Sequence, residues 1–70
     1  MQVSHTDTAD ALNILATVHR HRDRPEAATE HHTQALDFAI LDEHMEGEAV
    51  ALRGLAECHL DQGRSDAGLE

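Results

Sequence analysis

The sequence predicts an all-α fold built from antiparallel helical hairpins, about one and a half repeats long. Three observations point there. First, the chain repeats itself at a spacing of forty residues. Ala9, Ala11, Leu12, Leu15, Ala16, His19, Arg24, Ala27 and Glu30 recur as Ala49, Ala51, Leu52, Leu55, Ala56, His59, Arg64, Ala67 and Glu70, without a gap. A fixed period of this size marks stacked supersecondary units rather than one closed core. Second, apolar residues recur at helical i, i+3, i+4 steps. Third, Phe38 is the only aromatic residue. The core must then be Leu, Ile, Val and many Ala, which suits closely approaching helices better than a sheet.

Each element follows from local signals. Ser4, Thr6, Asp7 and Thr8 can accept hydrogen bonds from the free N–H groups of a first turn, and Ser4 with Asp7 has capping-box spacing. Helix 1 is expected over about 7–22, with Ala9, Leu12, Leu15, Ala16 and His19 as one stripe and Ile14 and Val18 widening it. Asp23-Arg24-Pro25 is punctuation, because Pro lacks the N–H that a first helical position does not use. Helix 2 should run from Pro25 to about Asp42, with Ala28, Ala35, Leu36, Ala39 and Ile40 inward. The short connection makes helices 1 and 2 antiparallel. Glu43 to Gly47 is a polar joint that Gly47 can relax. Helix 3 carries Val50, Leu52, Leu55, Ala56 and His59 and should stop near Gly63, which suits the left-handed position past a helix end. Ser65 would cap a fourth helix starting at Asp66. The result is one helical domain over 1–70: unit one at about 8–47 and a truncated unit two at about 48–70, three full helices plus the start of a fourth.

Composition narrows function. Fourteen acidic residues against five Arg and no Lys give a net charge of -9. That charge argues against nucleic acid and against anionic membrane surfaces, and fits a basic or mixed protein partner. No apolar run approaches a membrane span, and the polar N-terminus does not read as a signal peptide. A single cysteine allows no internal disulfide and fits a reducing, cytoplasmic setting. Arg without Lys, with abundant Ala, points to a GC-rich bacterial genome. Leu69-Glu70 continues the repeat and equally resembles a cloning scar.

The residues resemble the tetratricopeptide repeat. Its pattern of large–x–x–Leu–Gly–x–x–Tyr, then Ala–x–x–x–Phe, then Ala is met by Leu12, Leu15-Ala16, His19, Ala28, His32 and Ala35-Leu36, then by Leu52, Leu55-Ala56, His59 and Gly63-Arg64. His19 and His59 stand where Tyr is usual, His32 where Phe is usual and Gly68 where Ala is usual. The forty-residue period exceeds the common one of about 34. In this it resembles the long repeats of kinesin light chains, of bacterial signal-transduction ATPases and of antibiotic-pathway transcription regulators. The resemblance implies a repeat-packing set of Leu12, Leu15, Ala16, His19, Ala28, Ala35, Leu36, Leu52, Leu55, Ala56 and His59. It also implies a non-catalytic interaction module whose first helices line a partner groove. The groove candidates are Asp10, Asn13, Thr17, Arg20, His21, Arg53, Glu57, Leu60 and Asp61. A carboxylate clamp would need several Lys and Asn, and this chain has one Asn and no Lys.

Seven His invite a metal reading, but His19/His21 and His31/His32 are spaced so that each pair diverges on a helix, whereas good pairs sit at i, i+3 or i, i+4. Packed or hydrogen-bonded imidazoles are the expectation, with no metal and no cofactor; pH sensing by buried His is an alternative. The carboxylate pairs fall at helix ends and read as solvated surface. Cys58 falls opposite Val18 and reads as a small buried hydrophobe. No phosphate loop, nucleophile elbow or Cys/His pair appears, so no enzyme is expected. A fragment of a larger regulatory protein is one functional reading. The other is self-association into a dimer, because helix 3 lacks a full partner helix and its apolar face needs a cover.

Overall fold

A computed structural model describes residues 4–68 as three helices: α1 His5–His21, α2 Pro25–Leu41 and α3 Met45–Gly68. The expectations for Leu69-Glu70 lie outside the described residues. Helix α1 starts two residues earlier than the sequence predicts because Ser4 is its N-cap. The Ser4 hydroxyl accepts from the Asp7 N–H at 3.0 Å, and Asp7 adds negative charge to the first turn. His19, Arg20 and His21 occupy the last turn, where positive charge suits the dipole. Pro25 opens α2 as expected.

The two joints share one geometry. Asp23 (φ 60) and Glu43 (φ 51) adopt the left-handed conformation. The next N–H then bonds back to the carbonyl five residues earlier: Arg24 to His19 at 2.9 Å and His44 to Ala39 at 2.8 Å. These six-residue closures satisfy carbonyls at each helix end. Gly47 does not relax the second joint. It is buried inside α3, and a Cβ there would collide with the His44 ring.

The helix does not stop near Gly63, and among the described residues no fourth helix begins at Asp66. Gly63 is helical, in open space, with α3 continuing to Gly68. A helical Gly costs about 1 kcal/mol relative to Ala, too little to end a helix with no Pro behind it. Arg64 reaches Asp61 across the Gly63 position at 3.8 Å.

The chain is packed through small residues. Helix α2 packs on both α1 and α3. Ala9 and Ala16 of α1, Ala28, Ala35 and Ala39 of α2, and Ala51 and Cys58 of α3 are fully buried. Ala16, Ala28 and Cys58 meet at the centre. Cys58 is indeed a small buried hydrophobe.

Repeat equivalence does not bring equivalent burial, and this corrects the packing set. Ala16, Ala28 and Ala35 are buried, and Leu12, His19, Leu36 and Leu55 are half-buried. Leu15 (45 % exposed), Leu52 (51 % exposed), Ala56 and His59 are exposed. Ile40 also points outward. The reason is position in the stack. Ala9, Leu12, Ala16 and His19 lie under α2, whereas no described helix covers Ala49, Leu52, Ala56 and His59. Conversely, Ala51, Gly54, Leu55 and Cys58 seat α3 inside the stack, while their equivalents Ala11, Ile14, Leu15 and Val18 face out from α1. Ile14 and Val18, expected to widen the inward stripe of α1, are exposed instead.

Candidate functional site

Helices α1 and α3 occupy equivalent places in successive hairpins and lie side by side over α2. The seam between them is held by one cation and two carboxylates. Arg20 of α1 donates through Nε to Asp61 Oδ2 at 2.7 Å and through Nη1 to Glu57 Oε2 at 2.7 Å; Nη2 approaches Asp61 Oδ1 at 3.4 Å. Glu57 and Asp61 are one turn apart on α3, so both face the same guanidinium. The Arg20 hydrogen bond holds the Asp61 carboxyl below the usual carboxylate range, and the same bond raises Arg20 above its usual value. All three side chains remain partly exposed, so the cluster sets register more than it adds stability. Arg53 stands outside it, mostly exposed and only 3.7 Å from Glu57.

The seam is a run of shallow depressions. At one end, Asp10, Asn13, Ile14, His44, Gly47 and Val50 line one of them, with His44 Nε2 3.1 Å from Asp10. In the middle, Thr17, Arg20, Arg53 and Glu57 surround a depression of about 200 Å3 whose floor includes His32 and Gly54. Beyond Arg20, a cleft of about 550 Å3 opens between the first joint and the later turns of α3, bordered by Asp23, Glu26, His59 and Asp61.

Of the nine groove candidates, Thr17, Arg20, Arg53 and Glu57 share the middle depression, and Asp61 joins them through Arg20. Asp10 is exposed at the near end, whereas His21 and the 58 %-exposed Leu60 stand clear of the depressions among the described residues. Asn13 is a correction: it is only 5 % exposed. Its Nδ2 donates to the Gly47 carbonyl at 3.3 Å, and its Oδ1 accepts from His32 Nδ1–H at 2.8 Å. It ties the three helices together, with both ends of its carboxamide engaged inside the chain. Its burial follows from the small residues around it, which bring α1 and α3 within reach of one carboxamide.

His32 is the packed, hydrogen-bonded imidazole that the sequence reading expects, but that reading did not place it at the seam. The available signal was Gly54. It falls opposite Ile14 in the repeat, and a glycine replacing a large apolar residue in mid-helix marks close approach. It also missed Asp42, which accepts from the Thr6 N–H at 3.1 Å and the Thr6 hydroxyl at 3.2 Å, tying the second joint to the start of α1.

His31 and His19 lie together on facing turns, and the buried His19 Nδ1 has no hydrogen-bond partner among the described residues. His31 Nδ1–H donates to the Ala27 carbonyl at 2.7 Å, and its ring lies 4.8 Å from that of His19. Among the described residues, no three His, Cys, Asp or Glu converge as a metal site, and no helix is long and apolar enough to cross a membrane.

Comparison with known proteins completes the description. A family model described as Tetratricopeptide repeat matches residues 7–69. No curated protein matches the chain. No solved structure matches it.

Proposed function

This chain belongs to the tetratricopeptide repeat family, and on that premise we propose that it is a non-catalytic protein-interaction module that docks a peptide segment of its partner along the α1–α3 seam. Repeats of this family generally mediate protein–protein interaction. The observation that carries the reading is the middle depression, where side chains of both first-in-hairpin helices, Thr17 and Arg20 from α1 and Arg53 and Glu57 from α3, surround one concavity. The internal pairing of Arg20 fixes the spacing of the two helices and leaves Arg53 and Thr17 to the partner. A net charge of -9 favours a basic or mixed segment over an acidic one. The forty-residue period and the Ala-rich, Lys-free composition extend the reading to the long-period repeats of bacterial regulatory and signalling proteins, acting in the cytoplasm within a larger assembly.

Selection of a randomised twelve-residue peptide library on the protein tests this. Peptides enriched on the wild type are expected to lose at least about tenfold in affinity, a difference of 1.4 kcal/mol, on the double variant Thr17→Arg/Arg53→Glu. The same peptides should bind Ile40→Ser, altered on the outer face of α2, as they bind wild type. Equal binding to all three proteins contradicts the reading.

A second reading rests on a different observation. Ile14, Leu15 and Val18 form an exposed apolar strip on α1, and Leu52 stands exposed on α3. Such strips are commonly covered by association. In this reading the isolated chain forms a dimer, and light scattering gives twice its 7.7 kDa mass at every concentration measured; a mass that stays at that of one chain removes it.

A further inference from the structure

His32 is 2 % exposed, and its two ring nitrogens have different surroundings. Nδ1 is turned inward to Asn13. The Gly47 carbonyl can only accept, so the Asn13 carboxamide turns its nitrogen there and its oxygen toward His32. Neutral His32 is therefore the Nδ1–H tautomer, and Nε2 carries a lone pair. Among the described residues nothing hydrogen-bonds Nε2, and that atom belongs to the sliver of the ring that solvent still reaches. Gly54 of α3 lies over the face of the ring, where a Cβ would collide with it. The glycine thus seats α3 without covering the in-plane lone pair, which stays open to the middle depression.

The walls of that depression hold two more open acceptors. Thr17 of α1 donates its hydroxyl proton to the Asn13 carbonyl at 3.0 Å, so its oxygen offers only lone pairs. Glu57 of α3 accepts from Arg20 through Oε2 at 2.7 Å, while its Oε1 lies 3.7 Å from Arg53 Nε, too far for a hydrogen bond. Each helix therefore brings one open acceptor to a single concavity of about 200 Å3. A head group with several donors and no acceptor complements them, and a lysine ammonium carries three donors on a compact head.

We propose that the middle depression is a lysine pocket, in which the ammonium of a lysine in the docked segment donates to His32 Nε2, Glu57 Oε1 and Thr17 Oγ1. The pocket rests on the peptide-docking reading and names the side chain that the seam selects. His32 is a specificity-determining residue, because an acceptor in so closed a place is left unpaired by an apolar side chain and repelled by an acidic one. A compact ammonium on a flexible stem reaches the one imidazole edge that faces out, whereas the flat fork of arginine suits two acceptors in one plane rather than three on separate helices. The charged and titratable groups around His32 are Arg20 from α1, His31 from α2 and Glu57 from α3. Burial lowers the His32 pKa; Glu57 opposes this, and Arg20 and His31 add to it. The folded value lies below the ordinary 6.5, so the lone pair is present at pH 7.5. In acid, protonated Nε2 becomes a donor and the lysine loses that acceptor. By linkage, a bound lysine lowers the pH at which His32 titrates.

The test uses the whole chain and the twelve-residue peptides selected on it. These are expected to share a lysine at one position. Norleucine there keeps the stem and removes the ammonium, and should weaken binding at pH 7.5 by at least about tenfold. Arginine there should also bind more weakly than lysine. Glu57→Gln keeps the shape of the side chain and removes its charge. It should weaken the lysine peptide more than the norleucine peptide, a difference that a merely structural effect would not produce. NMR of the ring nitrogens needs no substitution. The lysine peptide should shift the His32 Nε2 resonance and lower the pH at which the ring titrates, and the norleucine peptide should do neither. The pocket is overturned if norleucine or arginine binds as well as lysine, or if Nε2 is unmoved at saturation. Peptides that perturb Thr17 and Arg53 but not Nε2 sink the pocket and keep the docking reading. Peptides that perturb only the outer face of α2 sink the docking reading, and the pocket with it.

Discussion

Asn13→Leu is expected to remove a large share of the chain's stability. The substitution leaves the His32 Nδ1–H buried without a partner and takes away the second bond to the Gly47 carbonyl, which keeps its own bond within α3. The unpaired donor costs about 1–3 kcal/mol. A domain of this length has roughly 4–10 kcal/mol in total, at about 0.05–0.15 kcal/mol per residue, so that one group removes a large share of it. Leu also has to fit where a flat carboxamide touched all three helices. Urea denaturation should show the midpoint falling steeply with little change in slope until folding itself fails. A variant within about 0.5 kcal/mol of wild type, the range of ordinary surface substitutions, would mean that the Asn13 network does not join the helices as described.

The second large effect is a contrast between two alanines that the repeat makes equivalent. Ala16 is fully buried against Ala28 and Cys58, where the three helices meet. Ala56, forty residues on, is exposed. Ala16→Leu forces three extra carbon atoms into a filled contact and should cost about 1–3 kcal/mol or more. Ala56→Leu should change stability by no more than about 0.5 kcal/mol. Thermal or urea unfolding of both variants under one condition reads the difference directly. Equal effects would mean that α3 is covered in solution on the face left open here, as association of two chains would produce.

That contrast also marks how far the sequence could be read. The repeat, the helical spacing, Ser4 and Pro25 place the helices, because these signals are local and each acts through the backbone. The exposure of Leu52, Ala56 and His59 was not legible. Identical residues in identical repeat positions carry no record of which helix happens to lie over them. Gly63 misled for a related reason. Glycine permits a helix end but does not impose one, and the run around it, Asp61 to Arg64, favours continuation. At the seam, the one-turn spacing of Glu57 and Asp61 was visible on α3, but their common partner Arg20 comes from a helix almost forty residues earlier. Asn13 read as a groove residue because it is polar and lies on a first helix. Only the packed structure shows both ends of its carboxamide already engaged.

The claim on which the account turns is that a partner lies along the α1–α3 seam. The most direct test is an amide and side-chain NMR map of the protein, at pH 7.5, with a library-selected peptide added to saturation. Shifts and intermolecular contacts are expected at Thr17, Arg20, Arg53 and Glu57, with the outer face of α2 at Thr33, Asp37 and Ile40 undisturbed. Contacts confined to that outer face, or to Leu52, Ala56 and His59, would place the partner elsewhere and contradict the seam as the docking surface.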